Sequence, residues 1–190
     1  MNTHPLSQFE YCPRCGKHSF VARNVKANHC EACDFVYYFN PSSACALLVT
    51  DKQDRLLVAI RANEPARGSY DLPGGFVDLH ETVEEAAIRE LCEETGINLN
   101  APVVQAQIIT PLHYLFSEPN IYPYSGFEVH TTDLIFHVRM KDLSPYVGKG
   151  RDDVSELLLI PIAELTPKDF GLESISKVIT KVSRQPDLLK

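Results

Sequence analysis

Basic residues are in short supply. Lysine and arginine number 18 against 25 aspartates and glutamates, a net charge of −7, so no broad positive surface offers itself to a nucleic-acid duplex or an anionic membrane. An acidic chain that takes up a polyphosphate needs cations to mediate. No stretch of about 18 apolar residues occurs, which excludes a membrane-spanning helix, and the opening MNTHPLSQFEYC has neither the basic start nor the apolar core of a secretory leader. Residence in the cytoplasm is expected. Internal repeats and low-complexity tracts are also missing. The 190 residues, 44% hydrophobic and 23% charged, therefore read as one well-buried soluble domain with a small appendage.

Cysteine is sparse but patterned. Of the six, four form two pairs, Cys12-Pro-Arg-Cys15 and Cys30-Glu-Ala-Cys33, separated by 14 residues. Without a leader this reads as metal binding rather than a disulfide framework. Each CxxC turn presents two thiolates to a common point, and two such turns close a tetrahedral zinc site with no open position. A redox CxxC would follow a strand and open a helix, whereas both pairs here lie on short loops. About 35 residues cannot bury a core unaided, which makes the zinc structural. His18 and His29 are near, but four cysteines suffice. Cys45 and Cys92 lie in apolar segments as small buried hydrophobes. Residues 1–39 are assigned to a zinc ribbon and 40–190 to the main domain.

In the main domain, residues 44–50 and 56–61 read as strands around the turn Asp51-Lys-Gln-Asp54. Further strands are predicted over 103–110, 128–140 and 156–162, and a last helix over 172–183. Residues 115–127, LFSEPNIYPYSGF, are so rich in proline, glycine and aromatics that an irregular loop is expected. Its Tyr122 and Tyr124 should turn their rings outward, to one side if the segment is extended. Mixed strands around two helices make an α/β sandwich.

Residues 74–97, GGFVDLHETVEEAAIRELCEETGI, carry the chemistry. Thr82 can cap a helix, Glu85 is its capping-box partner, and Gly96 is a left-handed stop, so a helix is predicted over 83–95. Glu90, Glu93 and Glu94 fall within an arc of about 100°. Like charges at this spacing weaken a helix, so either the face is merely solvated or a cation belongs there. The preceding Leu72-Pro73-Gly74-Gly75 turn lets bare backbone approach a ligand. A carbonyl there and hard carboxylate oxygens are what magnesium or manganese prefers.

These intervals resemble the Nudix hydrolase box: G, five residues, E, seven residues, R-E, an aliphatic residue, any residue, E-E, any residue, G and an aliphatic residue. Gly75, Glu81, Arg89-Glu90, Leu91, Glu93-Glu94, Gly96 and Ile97 occupy those places without a gap. His80 stands where many members carry glycine. Ser117, Pro119, Tyr122, Pro123 and Ser125 resemble the SQPWPFPxS array of the NADH pyrophosphatase branch, with departures at Glu118, Asn120 and Ile121, and the paired CxxC knuckles are similar to that branch as well.

The resemblance implies a Nudix-type α/β/α sandwich with a mixed sheet, preceded by a small zinc ribbon. It further implies hydrolysis of a pyrophosphate bond in a nucleoside diphosphate linked to another moiety, such as NADH, ADP-ribose or FAD. Magnesium or manganese would be held by Glu90, Glu93, Glu94 and the Gly75 carbonyl, and would lower the pKa of the attacking water. Arg89 should pair with Glu81 and hold the carboxylates in place. Glu156 is the candidate base outside the box, in a position similar to a downstream glutamate of the branch; its alternative is an exposed strand-edge charge. Gly74, Gly75, Tyr122 and Tyr124 are the expected substrate-binding residues.

A different class of function is a non-catalytic nucleotide sensor of the ADP-ribose type, with the ribbon binding nucleic acid. Such sensors commonly lose box glutamates, which this chain retains. Lys17, Arg23 and Lys26 stand alone, a poor track for phosphates; an RNA would be met only at its 5′ end. The partner expected is a small nucleotide, not a membrane. The oligomeric state is left open, with a homodimer in view because the family often pairs subunits.

Overall fold

A computed structural model describes residues 4–190. Its contacts divide the chain into two compact units, Met1–Pro41 and Ser42–Lys190; residues 1–3 of the expected ribbon lie outside the described residues. The first unit is a three-stranded antiparallel sheet of β1 (Phe20–Asn24), β2 (Ala27–Cys30) and β3 (Val36–Tyr38). β3, with Tyr37 and Tyr38, closes the sheet on the side of β2. Each CxxC pair is a turn of the same build: the Gly16 N–H donates to Cys12 O at 2.8 Å and the Asp34 N–H to Cys30 O at 2.9 Å. Gly16 and Asp34 take φ values of 71° and 58°, the left-handed bend that closes each knuckle.

The second unit is built on a mixed sheet. Its strands are β4 (Ser42–Asp51), β5 (Arg55–Arg61), β6 (Tyr70–Asp71), β7 (Ile108–Tyr124), β8 (Phe127–Met140), β9 (Gly148–Lys149) and β10 (Val154–Pro161). The order is β7-β8-β4-β5-β10-β9, with β6 beside β5. β4 and β8 run parallel from Ser42–Thr131 to Asp51–Met140, and the remaining pairs are antiparallel. Along β4 the side chains alternate. Cys45, Leu47 and Val49 join a core with Leu91 of helix α1 (Val83–Thr95), while Ala46 and Leu48 join a second core with Val178, Ile179 and Val182 of helix α3 (Glu173–Arg184). Helix, sheet and helix form the sandwich. Among the described residues no helix is long and apolar enough to cross a membrane.

Two expectations fail. The strand predicted over 103–110 is split into helix α2 (Pro102–Gln105) and the start of β7. Pro102 at the first helical position, with its preset φ, favours the short helix. The loop predicted over 115–127 is the outer half of β7, paired with β8 from Pro119–Thr132 to Tyr124–Phe127. β7 is the edge of the sheet, so a proline lacking an N–H can stand where no outer neighbour asks for one. Ser125 and Gly126, with φ of 52° and 75°, make the two-residue turn that joins β7 to β8.

His137 of β8 is wholly buried. Its Nε2 lies 2.8 Å from Thr50 Oγ1, and Nδ1 has no partner among the described residues. Burial, then His113 and Arg139, push its pKa from 6.5 down to about 4. Between these values the unfolded chain binds the proton more strongly, so folding stability falls as pH drops from 6.5 towards 4. The full loss is on the order of 3 kcal/mol. The urea midpoint of wild type should decline over that window more steeply than that of His137→Asn; parallel curves would refute the assignment.

Candidate active site

Local chemistry sets α1. The Glu85 N–H donates to Thr82 Oγ1 at 3.2 Å and Glu85 Oε2 accepts the Thr82 N–H at 2.8 Å, completing the capping box. Gly96, at φ 78°, returns its N–H to Cys92 O at the other end. Ala86, Ala87 and Leu91 bury one face against the sheet, and that packing separates the three glutamates that share an arc. Glu94 is 6% exposed, Glu90 is half-buried and Glu93 points to solvent.

Arg89 ties the acidic residues together. Its Nε and Nη2 fork onto the two oxygens of Glu81, each at 2.9 Å. Nη1 reaches Glu90 at 2.7 Å and Glu93 at 3.2 Å, and Nη2 also donates to Phe76 O at 3.1 Å. The hydrogen bond from Arg89 holds the Glu81 carboxyl below its ordinary pKa. Burial raises Glu90 against the opposing pull of Arg89. Glu94 has no such cation among the described residues: burial lifts its pKa well above the ordinary value, the Gly74 N–H at 2.9 Å opposes this, and Glu90, Asp71 and Asp153 reinforce it.

The turn before α1 is wedged into the sheet. β4 and β5 are ladder-paired only at Thr50–Leu56 and then splay apart. Into the gap comes the segment from β6 onwards: β6 pairs with β5, while the Leu47 N–H donates to Pro73 O at 2.8 Å and the Cys45 N–H to Gly75 O at 2.9 Å. Gly74 has φ 151°, and a Cβ there would overlap the Cys45 carbonyl. A Cβ on Gly75 would run into the Glu90 carboxylate, so glycine is what lets the turn and the helix meet. His80 also adopts a left-handed φ of 68°, a conformation that glycine takes without cost.

The wedge leaves a cavity of 480 Å³ between the splayed strands. Gly74, Gly75, Phe76 and Glu94 line it, and so do Tyr122 and Tyr124 from β7. Phe76 and Tyr122 meet edge to face with centroids 6.0 Å apart, and Arg61 donates to the Tyr122 hydroxyl at 3.3 Å. Tyr124 is 66% exposed at the mouth. Glu156 does not line the cavity. It is exposed on β10, opposite Ile60 and Lys149, beyond a register shift between Val154 and Glu156. Asp153, just before β10, does line it. Sequence reasoning passed over Asp153 and the ion pair of Arg61 with Asp71; the Asp152-Asp153 pair just ahead of a strand was the available signal.

Among the described residues, one group of metal-ligand atoms lies within 4.8 Å of one another, the thiols of Cys12, Cys15, Cys30 and Cys33. Of the α1 carboxylates, Glu90 and Glu93 are drawn to Arg89, and Glu94 is held by the Gly74 N–H. They and the Gly75 carbonyl, which spends one lone pair on Cys45, remain hard oxygen donors of the kind magnesium takes.

The family model of the NUDIX domain matches residues 40–181. The chain belongs to the Nudix family. Similar proteins include the NAD-capped RNA hydrolase NudC of Vibrio cholerae, 29% identical over 81% of this chain and 49% of that protein. The ADP-ribose pyrophosphatase of Methanocaldococcus jannaschii is 32% identical over 74% of this chain and 73% of that one. The chain spans about half the length of the NudC relatives it matches. A NUDIX hydrolase from Nitrosomonas europaea has the same fold, with a TM-score of 0.63 at 18% identity over 94% of this Nudix chain and 92% of that one.

Proposed function

We propose that this Nudix protein hydrolyses a pyrophosphate bond in a nucleoside diphosphate linked to a second group, with dinucleotides such as NADH, ADP-ribose and FAD as the substrate class. The observation that carries the reading is that Glu94 and the Gly74-Gly75 turn open into the same cavity as Phe76, Tyr122 and Tyr124. A diphosphate held at the acidic end thus brings a planar base among the rings. Glu90, Glu93, Glu94 and the Gly75 carbonyl would hold magnesium or manganese, which supplies charge neutralisation and a water of lowered pKa. Arg89 keeps the carboxylates oriented through its fork on Glu81. Asp153, at the cavity wall, is better situated than Glu156 to accept a proton from the attacking water. The intact box favours catalysis over sensing, and the similarity to NAD-capped RNA hydrolases extends the substrate class to an RNA 5′ end bearing a dinucleotide. Free thiols suit a reducing cytoplasm, and a homodimer would be detected by sedimentation. Incubating NADH, ADP-ribose, FAD and NAD-capped RNA with the protein and magnesium, with products identified by mass, tests the reading; no hydrolysis of any of them would sink it.

The rings give a sharper expectation. Stacking on a base is worth about 1 to 3 kcal/mol, and it acts on substrate and transition state alike. Tyr122→Ala or Tyr124→Ala should therefore raise KM for the best dinucleotide by about tenfold, with kcat changing less. Tyr122→Phe, which keeps the ring and drops only the bond from Arg61, should stay near wild type. An alanine variant with unchanged KM would show that the rings only pack.

A further inference from the structure

The same cavity carries chemistry that the hydrolytic groups do not use. Ala44 and Ala46 of β4, Leu72, and Leu172 and Ile175 at the start of α3 give it apolar walls. Thr131 and Asp133 of β8, 4% and 6% exposed, line the same cavity on one face of the strand. Asp133 is paired with Ala44 across the parallel ladder and lies near enough to Asp71, itself paired with Arg61, for the two charges to act on each other. Thr131 donates its hydroxyl proton to Asp133 Oδ1 at 2.6 Å; the carboxylate has no other hydrogen bond or ion pair among the described residues. Arg61, the cation of the cavity, is committed to Asp71, Pro65 O and Tyr122. A buried acceptor short of donors costs about 1 to 3 kcal/mol unless a ligand supplies one.

We infer that Asp133 reads the planar head of the substrate, accepting a hydrogen bond from an NH2 group borne by the ring, a carboxamide or an exocyclic amine, while the apolar walls hold the ring. The inference rests on the dinucleotide reading of the site. Carboxylate oxygens offer lone pairs to a donor, so a ring with a carboxylate or oxo group at that position sets lone pairs against lone pairs. An apolar slot with one convergent polar group is also how small-molecule sites fix orientation.

Mononucleotides test this without turnover, since they contain no pyrophosphate bond and magnesium can be present. Calorimetric binding would compare nicotinamide mononucleotide with its nicotinic acid counterpart, and AMP with IMP. Wild type should favour the NH2-bearing member of one pair by about tenfold or more in Kd, and the pair that shows it identifies which ring enters. Asp133→Asn, whose amide both donates and accepts, should bring that preference within about threefold. Asp133→Ser carries the same expectation if the asparagine variant does not melt cooperatively. Affinities within about threefold for both pairs in wild type, or a preference that survives at position 133, would overturn the inference. Failure of the catalytic reading looks different: no magnesium-dependent hydrolysis of any dinucleotide, with the mononucleotide preference intact.

Discussion

Glu94→Gln is expected to lower kcat at least about hundredfold while leaving the melting temperature of the metal-free protein unchanged or a few degrees higher. The two effects have one origin. Glu94 is buried and among the described residues accepts only the Gly74 N–H, and Glu90, Asp71 and Asp153 all press against its charge. A carboxylate in that position costs folding energy that a bound cation would offset. Glutamine keeps the length of the side chain and can accept the Gly74 N–H through its own carbonyl, so no cavity forms and the repulsion is removed. What disappears is the charge that binds metal, which acts on turnover. Glu93→Gln should cost similar activity but bring less relief, because Glu93 is exposed and already shares Arg89. Steady-state kinetics with magnesium and a melt without it read the two halves separately. Wild-type turnover in Glu94→Gln would show that this carboxylate does not hold the metal on which hydrolysis depends, whatever the melt showed.

The difference between Glu93 and Glu94 marks where sequence reading stops. The caps of α1 are local hydrogen bonds between Thr82, Glu85 and Gly96, and residue type announces them. Helical geometry also groups the three glutamates on one arc. It cannot say which of them is buried, because that depends on the wedge of Leu72 to Gly75 between β4 and β5, a tertiary event. β7 misleads for the same reason in reverse. Its prolines, with the Ser-Gly turn that follows, describe a loop so long as neighbours are ignored, and only its position at the sheet edge makes a strand of it. Glu156 and Asp153 lie three residues apart, and a register shift decides which reaches the cavity. Asp133 is the extreme case. Nothing near it in sequence suggests a site, since Ala44, Leu72 and Ile175 come to it from far along the chain.

Removing zinc is expected to unfold the ribbon outright while the Nudix unit stays folded. The four thiols lie within 4.8 Å of one another, with Cys12 Sγ 3.7 Å from Cys33 Sγ and Cys15 Sγ 3.7 Å from Cys30 Sγ. A tetrahedron with zinc–sulfur bonds of about 2.3 Å has edges of about 3.75 Å, whereas a disulfide would need about 2.05 Å. Apart from those sulfurs the unit has little to hold it. Among the described residues its buried apolar side chains are the cluster of Cys12, Phe20 and Cys30, with Cys33 and Phe35 packed alongside, and Leu6 and Ala27, far short of what stabilises a chain of this length. Structural zinc contributes about 10 to 16 kcal/mol in small peptides at neutral pH, so its loss leaves nothing comparable in reserve. The Nudix unit is different, with separate cores on both faces of its sheet. Elemental analysis of an untagged sample should find one zinc per chain. Chelation, or Cys30→Ser, should abolish amide protection in β1, β2 and β3 while protection in β4 and β8 persists. A sample without zinc, or ribbon protection that survives chelation, would mean that the four thiols hold together without a metal.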